Sequence, residues 1–309
     1  MKKETKYNWK KHLFRASSFG MLMSDAKELT VKQKETLIGL QEKAELTEKQ
    51  QATLDDLIMK RDRVELSKGA KTYLRKLRRE VKFNRRIPLE SKYLDKGIKL
   101  EEDAITFLSI YHDEVFTNNK ERRTDKFFSG EMDVTEGFDT KVSFWMDSLP
   151  DPEEKLKIIY EFQDRVYMIL WDLDQCTTSA IVMSHDKESL KDMIYKEAFK
   201  PKWKEKDEYG DEIGVPDWRK VEMIKLYTFE EKGFYELCTE LNLTPNEESE
   251  EKHIDMFMSF VEIPEHERIV EKTVYRDKGI EKKMKQIVVL SREYLQELED
   301  DMWSKRIIK

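Results

Sequence analysis

A chain of 309 residues can bury a sizeable core in one large domain or two smaller ones. Its 39% hydrophobic content, with 6 Trp, 15 Phe and 12 Tyr, excludes a disordered chain, and Cys176 and Cys238 are too few for a disulfide framework or a four-cysteine cluster. The net charge of −7 gives no overall attraction to phosphate, and the lack of a long apolar run or a signal-like start leads us to expect a soluble cytoplasmic protein with no membrane partner.

Near the start, RASSFGMLMS places Ser17, Ser18 and Gly20 inside an apolar pattern, which reads as a turn before a short helix. Small hydroxyl residues beside a helix start can bind a phosphate oxygen through O–H and N–H groups. Residues 29 to 66 then hold a repeat of period 17, LTVKQKETLIGLQEKAE followed by LTEKQQATLDDLIMKRDRVE. Each copy begins Thr-x-x-Gln, at Thr30 to Gln33 and Thr47 to Gln50, a capping-box signature followed by leucines at helical spacing. We expect an inserted antiparallel helical hairpin over 24–66, structural or protein-contacting rather than catalytic.

From Lys68 to Arg86 there are nine basic residues and one acid, Glu80. The segment reads either as a phosphate-contacting surface, with Lys71, Arg75, Arg78 and Arg79 as contacts, or as a solvated basic helix face. Leu89 to Asp113 predicts one longer helix, in which Leu94, Gly97, Ile98, Ala104, Ile105 and Leu108 share a face and Glu101 projects from its centre. A carboxylate in mid-stripe is costly unless paired, protonated or bound to a metal. A salt bridge or an incompletely buried stripe would also account for it.

Phe127 to Trp145 alternates as a β-hairpin. Phe128, Met132 and Val134 oppose Glu131 and Asp133 across the first strand, and Phe138, Thr140 and Val142 oppose Asp139, Lys141 and Ser143 across the second. Gly137 closes the loop, where φ > 0 is usual. Pairing Val134 with Phe138 sets Asp133 opposite Asp139 and Glu131 opposite Lys141, with Cβ atoms about 4.5–5.5 Å apart. Facing carboxylates must share a proton or hold a cation, unless the face is merely solvated with a cross-strand ion pair.

Beyond Pro150 and Pro152, Asp151 to Glu154 place acids at the start of a helix running to about Trp171. Ile158, Ile159, Phe162, Val166, Ile169 and Leu170 form one side, and Tyr160, Gln163, Tyr167 and Trp171 a second that can pack, bond or stack. Strands are expected over 178–185, 221–229 and 253–264, with 186–252 a peripheral insertion and a final helix or helix pair from Ile269 to Trp303.

Taken in order, Ser17, Gly97-x-x-x-Glu101-x-x-Ala104, Asp133, Asp139-x-Lys141 and Gln163-x-x-x-Tyr167 resemble the PD-(D/E)XK nuclease superfamily, in particular its YqaJ-like viral recombinase (lambda exonuclease) family. FRASSFG, GEMDV, DTKVSFW, EFQDRVYMILW and FVEIPEHERIV carry the likeness, over residues 9–23, 89–185 and 253–297. The chain departs from it in Glu131, where relatives often have Ser or Thr, and in Asp139 rather than Glu.

The resemblance implies an α+β fold: a restriction-endonuclease-like core in a single domain over 1–309, with a central mixed β-sheet flanked by helices. It implies a metal-dependent exonuclease acting on linear double-stranded DNA from the 5′ end, feeding phage-type recombination in a bacterial host cytoplasm, with a single-strand annealing partner and a trimeric assembly. Asp133, Asp139, the Thr140 carbonyl and Glu101 would hold two Mg²⁺ or Mn²⁺ ions, an all-oxygen set with no His/Cys cluster for zinc. Lys141 would orient or deprotonate the attacking water, Gln163 and Tyr167 would position substrate or buttress the acids, and Ser17 with Arg15 or Lys10 would grip a terminal phosphate. The alternatives are a structure-selective or single-strand endonuclease and a non-catalytic DNA-binding or adaptor module on the same fold.

Overall fold

The structure, a computed structural model, describes residues 7–23, 30–43, 45–62, 64–86, 92–204 and 214–307. Its strands are β1 (Phe14–Arg15), β2 (Arg123–Thr124), β3 (Phe128–Gly130), β4 (Phe138–Ser143), β5 (Gln175–Val182) and β6 (Ile269–Tyr275). The helices are α1 (Ala16–Met23), α2 (Val31–Gln41), α3 (Glu48–Asp62), α4 (Lys68–Phe83), α5 (Lys92–Lys99), α6 (Glu101–His112), α7 (Ile158–Trp171), α8 (Lys187–Ala198), α9 (Asp217–Tyr227), α10 (Glu231–Glu240), α11 (Glu251–Met258) and α12 (Lys278–Ile307). Among the described residues no helix is long and apolar enough to cross a membrane.

The fold is α+β. Its mixed sheet comes in two three-stranded parts, β1-β3-β2 and β4-β5-β6, joined by an antiparallel bridge between Val134 and Phe138. β4 runs parallel to β5, and β6 runs antiparallel on the other side. The predicted hairpin therefore survives only at its turn. Gly137, at φ 101°, closes it as expected, but the first arm pairs with β1 and β2 instead of with β4. Glu131 to Asp133 leave the ladder between the two parts.

Register sorts the side chains of the second part. Asp139 lies beside Thr178 and Lys141 beside Ala180, so these share one face, while Thr140 and Val142 join Ser179 and Ile181 on the other. The helix α7 covers the first face. It is buried almost all round, through Phe162, Gln163, Asp164, Val166, Tyr167, Met168 and Trp171, so the aromatic-and-amide side is interior surface. The opposite face packs Ile181, Ile269 and Val142 against Ala104, Ile105 and Leu108 of α6.

Gly20 belongs to α1 itself rather than to a preceding turn. At its crossing with α7 an added Cβ would stand 2.4 Å from Ile159 Cα, so only glycine allows the two backbones to approach this closely. The predicted helical pair is present: Thr30–Gln33 and Thr47–Gln50 each exchange both capping-box bonds, and Leu37, Leu40, Leu54 and Leu57 form a small core of their own.

Other elements differ from expectation. The helix over 89–113 breaks at Leu100 into α5 and α6, leaving Leu94 and Ile98 exposed, and residues 89–91 lie outside the described residues. The helix expected from Asp151 starts only at Ile158. Residues 221–229 and 253–264 fall mainly in α9 and α11, because Val221, Ile224, Met256, Phe257 and Phe260 meet Phe234 and Cys238 at helical, not alternating, spacing. Conversely, the Ile-Val-Glu-Lys-Thr-Val-Tyr start of the expected last helix is strand β6, consistent with its β-branched content.

Candidate metal and phosphate site

Asp139 and Lys141 project from β4 under α7, and the two side chains form an ion pair. Gln163 Nε2 donates to Asp139 Oδ1 at 3.1 Å and lies 2.9 Å from the Tyr167 hydroxyl, which donates in turn to the Glu131 carbonyl at 2.9 Å. Asp133, in the segment between the two sheet parts, accepts from both the backbone N–H and the hydroxyl of Thr140, each at 2.8 Å. Its carboxylate thus satisfies an N–H at the edge of β4 where no strand pairs. Lys141 Nζ also reaches the Thr140 carbonyl at 3.1 Å and sits 5.6 Å from the centre of the Tyr160 ring.

Burial pushes the Asp139 carboxyl up to about 6; the Lys141 ammonium pulls it back and the Asp133 charge adds to the rise. For Lys141 burial disfavours the ammonium, but the charges of Asp139 and Asp133 outweigh it and hold the group above the usual lysine range. Behind them Asp164, fully buried, accepts from Thr178 Oγ at 2.8 Å and is pushed up to about 8 by burial and by Asp139. Asp164 is a member of this network that sequence reasoning missed. Its one signal was its position next to Gln163, since an acid on a helix side otherwise built of Tyr167, Met168 and Trp171 needs a partner.

Among the described residues no three Asp, Glu, His or Cys side chains converge closely enough to hold a metal ion. Glu101, expected there, opens α6 instead of sitting in mid-helix, is 38% exposed, and binds Asn118 and Lys120 at 3.0 and 3.4 Å. The predicted Glu131–Lys141 pair is also absent, because Glu131 turns to Arg122 at 2.9 Å. Two carboxylates and the Thr140 carbonyl remain. They suit one hard divalent ion, which binds through one or two carboxylates and otherwise keeps water. The buried Asp139 Oδ2 is held by the Lys141 ammonium, so an ion bound there would share that oxygen with Lys141 or take it over.

Beside this cluster opens a small, half-open cleft lined by Arg15, Ser17, Arg122, Ser129, Glu131 and Tyr167. β1 supplies Arg15 and the first turn of α1 supplies Ser17. Parallel pairing of β1 with β3 sets Arg15 beside Ser129. Lys10 lies in a short turn of helix outside the cleft. Arg122 and Ser129 were not foreseen, because nothing local in the sequence joins them to Ser17. Lys71, Arg75 and Arg79 are exposed along α4, which a phosphate-contacting surface and a merely solvated face share. Arg78 is not: it is 5% exposed and paired with Glu299 of α12 at 2.6 Å, which removes it from any contact with DNA.

In sequence no family model matches the chain, and neither does any curated protein. Its fold is that of a phage-related exonuclease. The likeness is to the crystal structure of such a protein from Haemophilus somnus 129PT, with a TM-score of 0.54 over 94% of this chain and 96% of that one, at 21% identity.

Proposed function

We propose that the protein is a metal-dependent deoxyribonuclease of the YqaJ-like type, digesting linear double-stranded DNA from its 5′ ends. The observation that carries this reading is the convergence of Asp133, Asp139 and Lys141 under the Gln163–Tyr167 helix, in a fold shared with a phage-related exonuclease. The product would be single strands for phage-type recombination, and a single-strand annealing protein, a trimeric assembly and a bacterial host cytoplasm belong to the same proposal.

Asp133, Asp139 and the Thr140 carbonyl would hold Mg²⁺ or Mn²⁺. Such an ion supplies a Lewis acid for the phosphoryl oxygens and a more acidic bound water. The chain's own groups do the rest. Gln163 fixes Asp139 by one oxygen and leaves the other facing Lys141. Lys141, held charged beside the two acids, serves as a cation and hydrogen-bond donor toward the reacting phosphate or water. Thr140 holds Asp133 in place with two bonds. Tyr167 links this cluster to the adjoining cleft, where Arg15, Ser17 and Arg122 can receive a phosphate at the DNA end.

Linear duplex labelled separately at its 5′ and 3′ ends, incubated with Mg²⁺ beside the same DNA as a closed circle, tests the reading. It requires early loss of the 5′ label and a spared circle. Cutting of the circle would make the protein an endonuclease, and inert protein that binds DNA would make it a non-catalytic module.

A further inference from the structure

The cleft beside the acid cluster holds an acid of its own. Glu131 lines it and places its carboxylate on Arg122 Nη at 2.9 Å, an ion pair of which both members are open to solvent, with 54% of the Arg122 and 39% of the Glu131 side chain exposed. The carboxylate therefore occupies a guanidinium position that a phosphate oxygen entering the cleft would otherwise take. It is free to leave, since an exposed ion pair of this kind is worth a factor of up to about 5 in an equilibrium constant.

We propose that Glu131 is a specificity-determining residue of this cleft: a built-in counter-ion that lowers its affinity for a doubly charged terminal phosphate more than for a singly charged phosphodiester or a hydroxyl end. The inference rests on the reading of the cleft as the place where a DNA end is held. A terminal phosphate needs both arginines and suffers twice the repulsion from a carboxylate, so it must displace Glu131 to bind well. A diester or hydroxyl end that leans on Arg15 and Ser17 can bind with the Glu131–Arg122 pair intact. The consequence is a protein that accepts 5′-phosphorylated and 5′-hydroxyl ends nearly alike and is held little by free phosphate. The substitution that tests this is mild, because Tyr167 is received by the Glu131 backbone carbonyl and not by its side chain.

The experiment measures binding of one short duplex, bearing either a 5′-phosphate or a 5′-hydroxyl, to wild type, Glu131→Gln and Glu131→Gln/Arg122→Gln, without divalent metal so that nothing is cleaved. Wild type is expected to bind the two ends within about 3-fold. Glu131→Gln should tighten the phosphorylated end by about 3-fold to 5-fold while moving the hydroxyl end by less than half as much, and the second substitution should cancel the gain. Inorganic phosphate should compete more strongly against Glu131→Gln than against wild type. Equal effects on both ends, no effect, a wild type already strongly selective for phosphate, or no DNA binding at all would each overturn the proposal. Cleavage plays no part in the readout. A protein that shows the shift yet never cuts DNA would refute the nuclease reading and leave this one standing.

Discussion

Gln163 donates to Asp139 across 3.1 Å in the interior of the protein, and this bond fixes which carboxylate oxygen faces Lys141. Both side chains are almost fully buried, so the amide has no water to replace its partner. A hydrogen bond to a charged group is worth about 1.5–3 kcal/mol, and leaving one partner bare costs at least as much.

Gln163→Ala should therefore weaken divalent binding and lower cleavage by about 10-fold to 100-fold. Titration of Mg²⁺ against turnover checks this, with the apparent metal requirement rising in the variant.

The buried acids give the metal-free protein a defined pH dependence. Asp139 and Asp164 have folded-state values raised to about 6 and about 8. These two acids therefore contribute stability that is full below the ordinary carboxylate value and is lost as pH rises from there through about 6 and about 8, whereas Glu197, held down to about 2, loses its contribution only in strong acid. Asp164→Asn keeps an oxygen for the Thr178 hydroxyl and removes the titration. It should remove on the order of 2 kcal/mol of the loss between pH 6 and 9, read from urea unfolding at each pH.

Adding Mg²⁺ should reverse part of the same loss, because an ion bound only by the folded state stabilises it. Thermal unfolding of wild type should shift upward by a few degrees at saturating Mg²⁺, and that of Asp139→Asn should not.

At the α1–α7 crossing, Gly20→Ala would force a methyl to within 2.4 Å of Ile159 Cα. Overpacking against backbone costs about 1–3 kcal/mol and would pull the Arg15–Ser17 turn away from Gln163 and Tyr167. Denaturant unfolding gives the first effect. Loss of DNA-end binding gives the second.

The turn at Gly137, the acid–lysine strand, the Gln163–Tyr167 helix and both capping boxes were legible in the sequence because each rests on local chemistry: a positive φ, a period of two, a fixed helical spacing. What escaped depended on distant partners. Arg78 looks like its basic neighbours and differs from them because Glu299 of α12, far along the chain, pairs with it and with Lys82 of the next turn of α4. Glu101 seemed buried because its flanking leucine stripe was continuous in the sequence, whereas the break at Leu100 rotates the two halves apart. The strand and helix assignments in 221–275 were exchanged where short apolar runs fit either period.

The basic residues of α4 are of two kinds. Removing Arg79 or Arg75 should leave stability nearly unchanged and reduce the salt dependence of DNA binding by up to about one unit of slope for each phosphate no longer neutralised. Arg78→Ala leaves Glu299 buried with Lys82 still paired to it and should cost about 1.5–3 kcal/mol of stability.

The central claim is that Lys141, with Asp133 and Asp139, forms a hydrolytic centre. The most direct test is single-turnover cleavage of linear duplex DNA in Mg²⁺ by wild type and by Lys141→Ala, at protein concentrations where both bind the DNA fully. The account predicts a folded variant that binds DNA like wild type and cleaves it about 10²-fold to 10³-fold more slowly. Equal rates would contradict it.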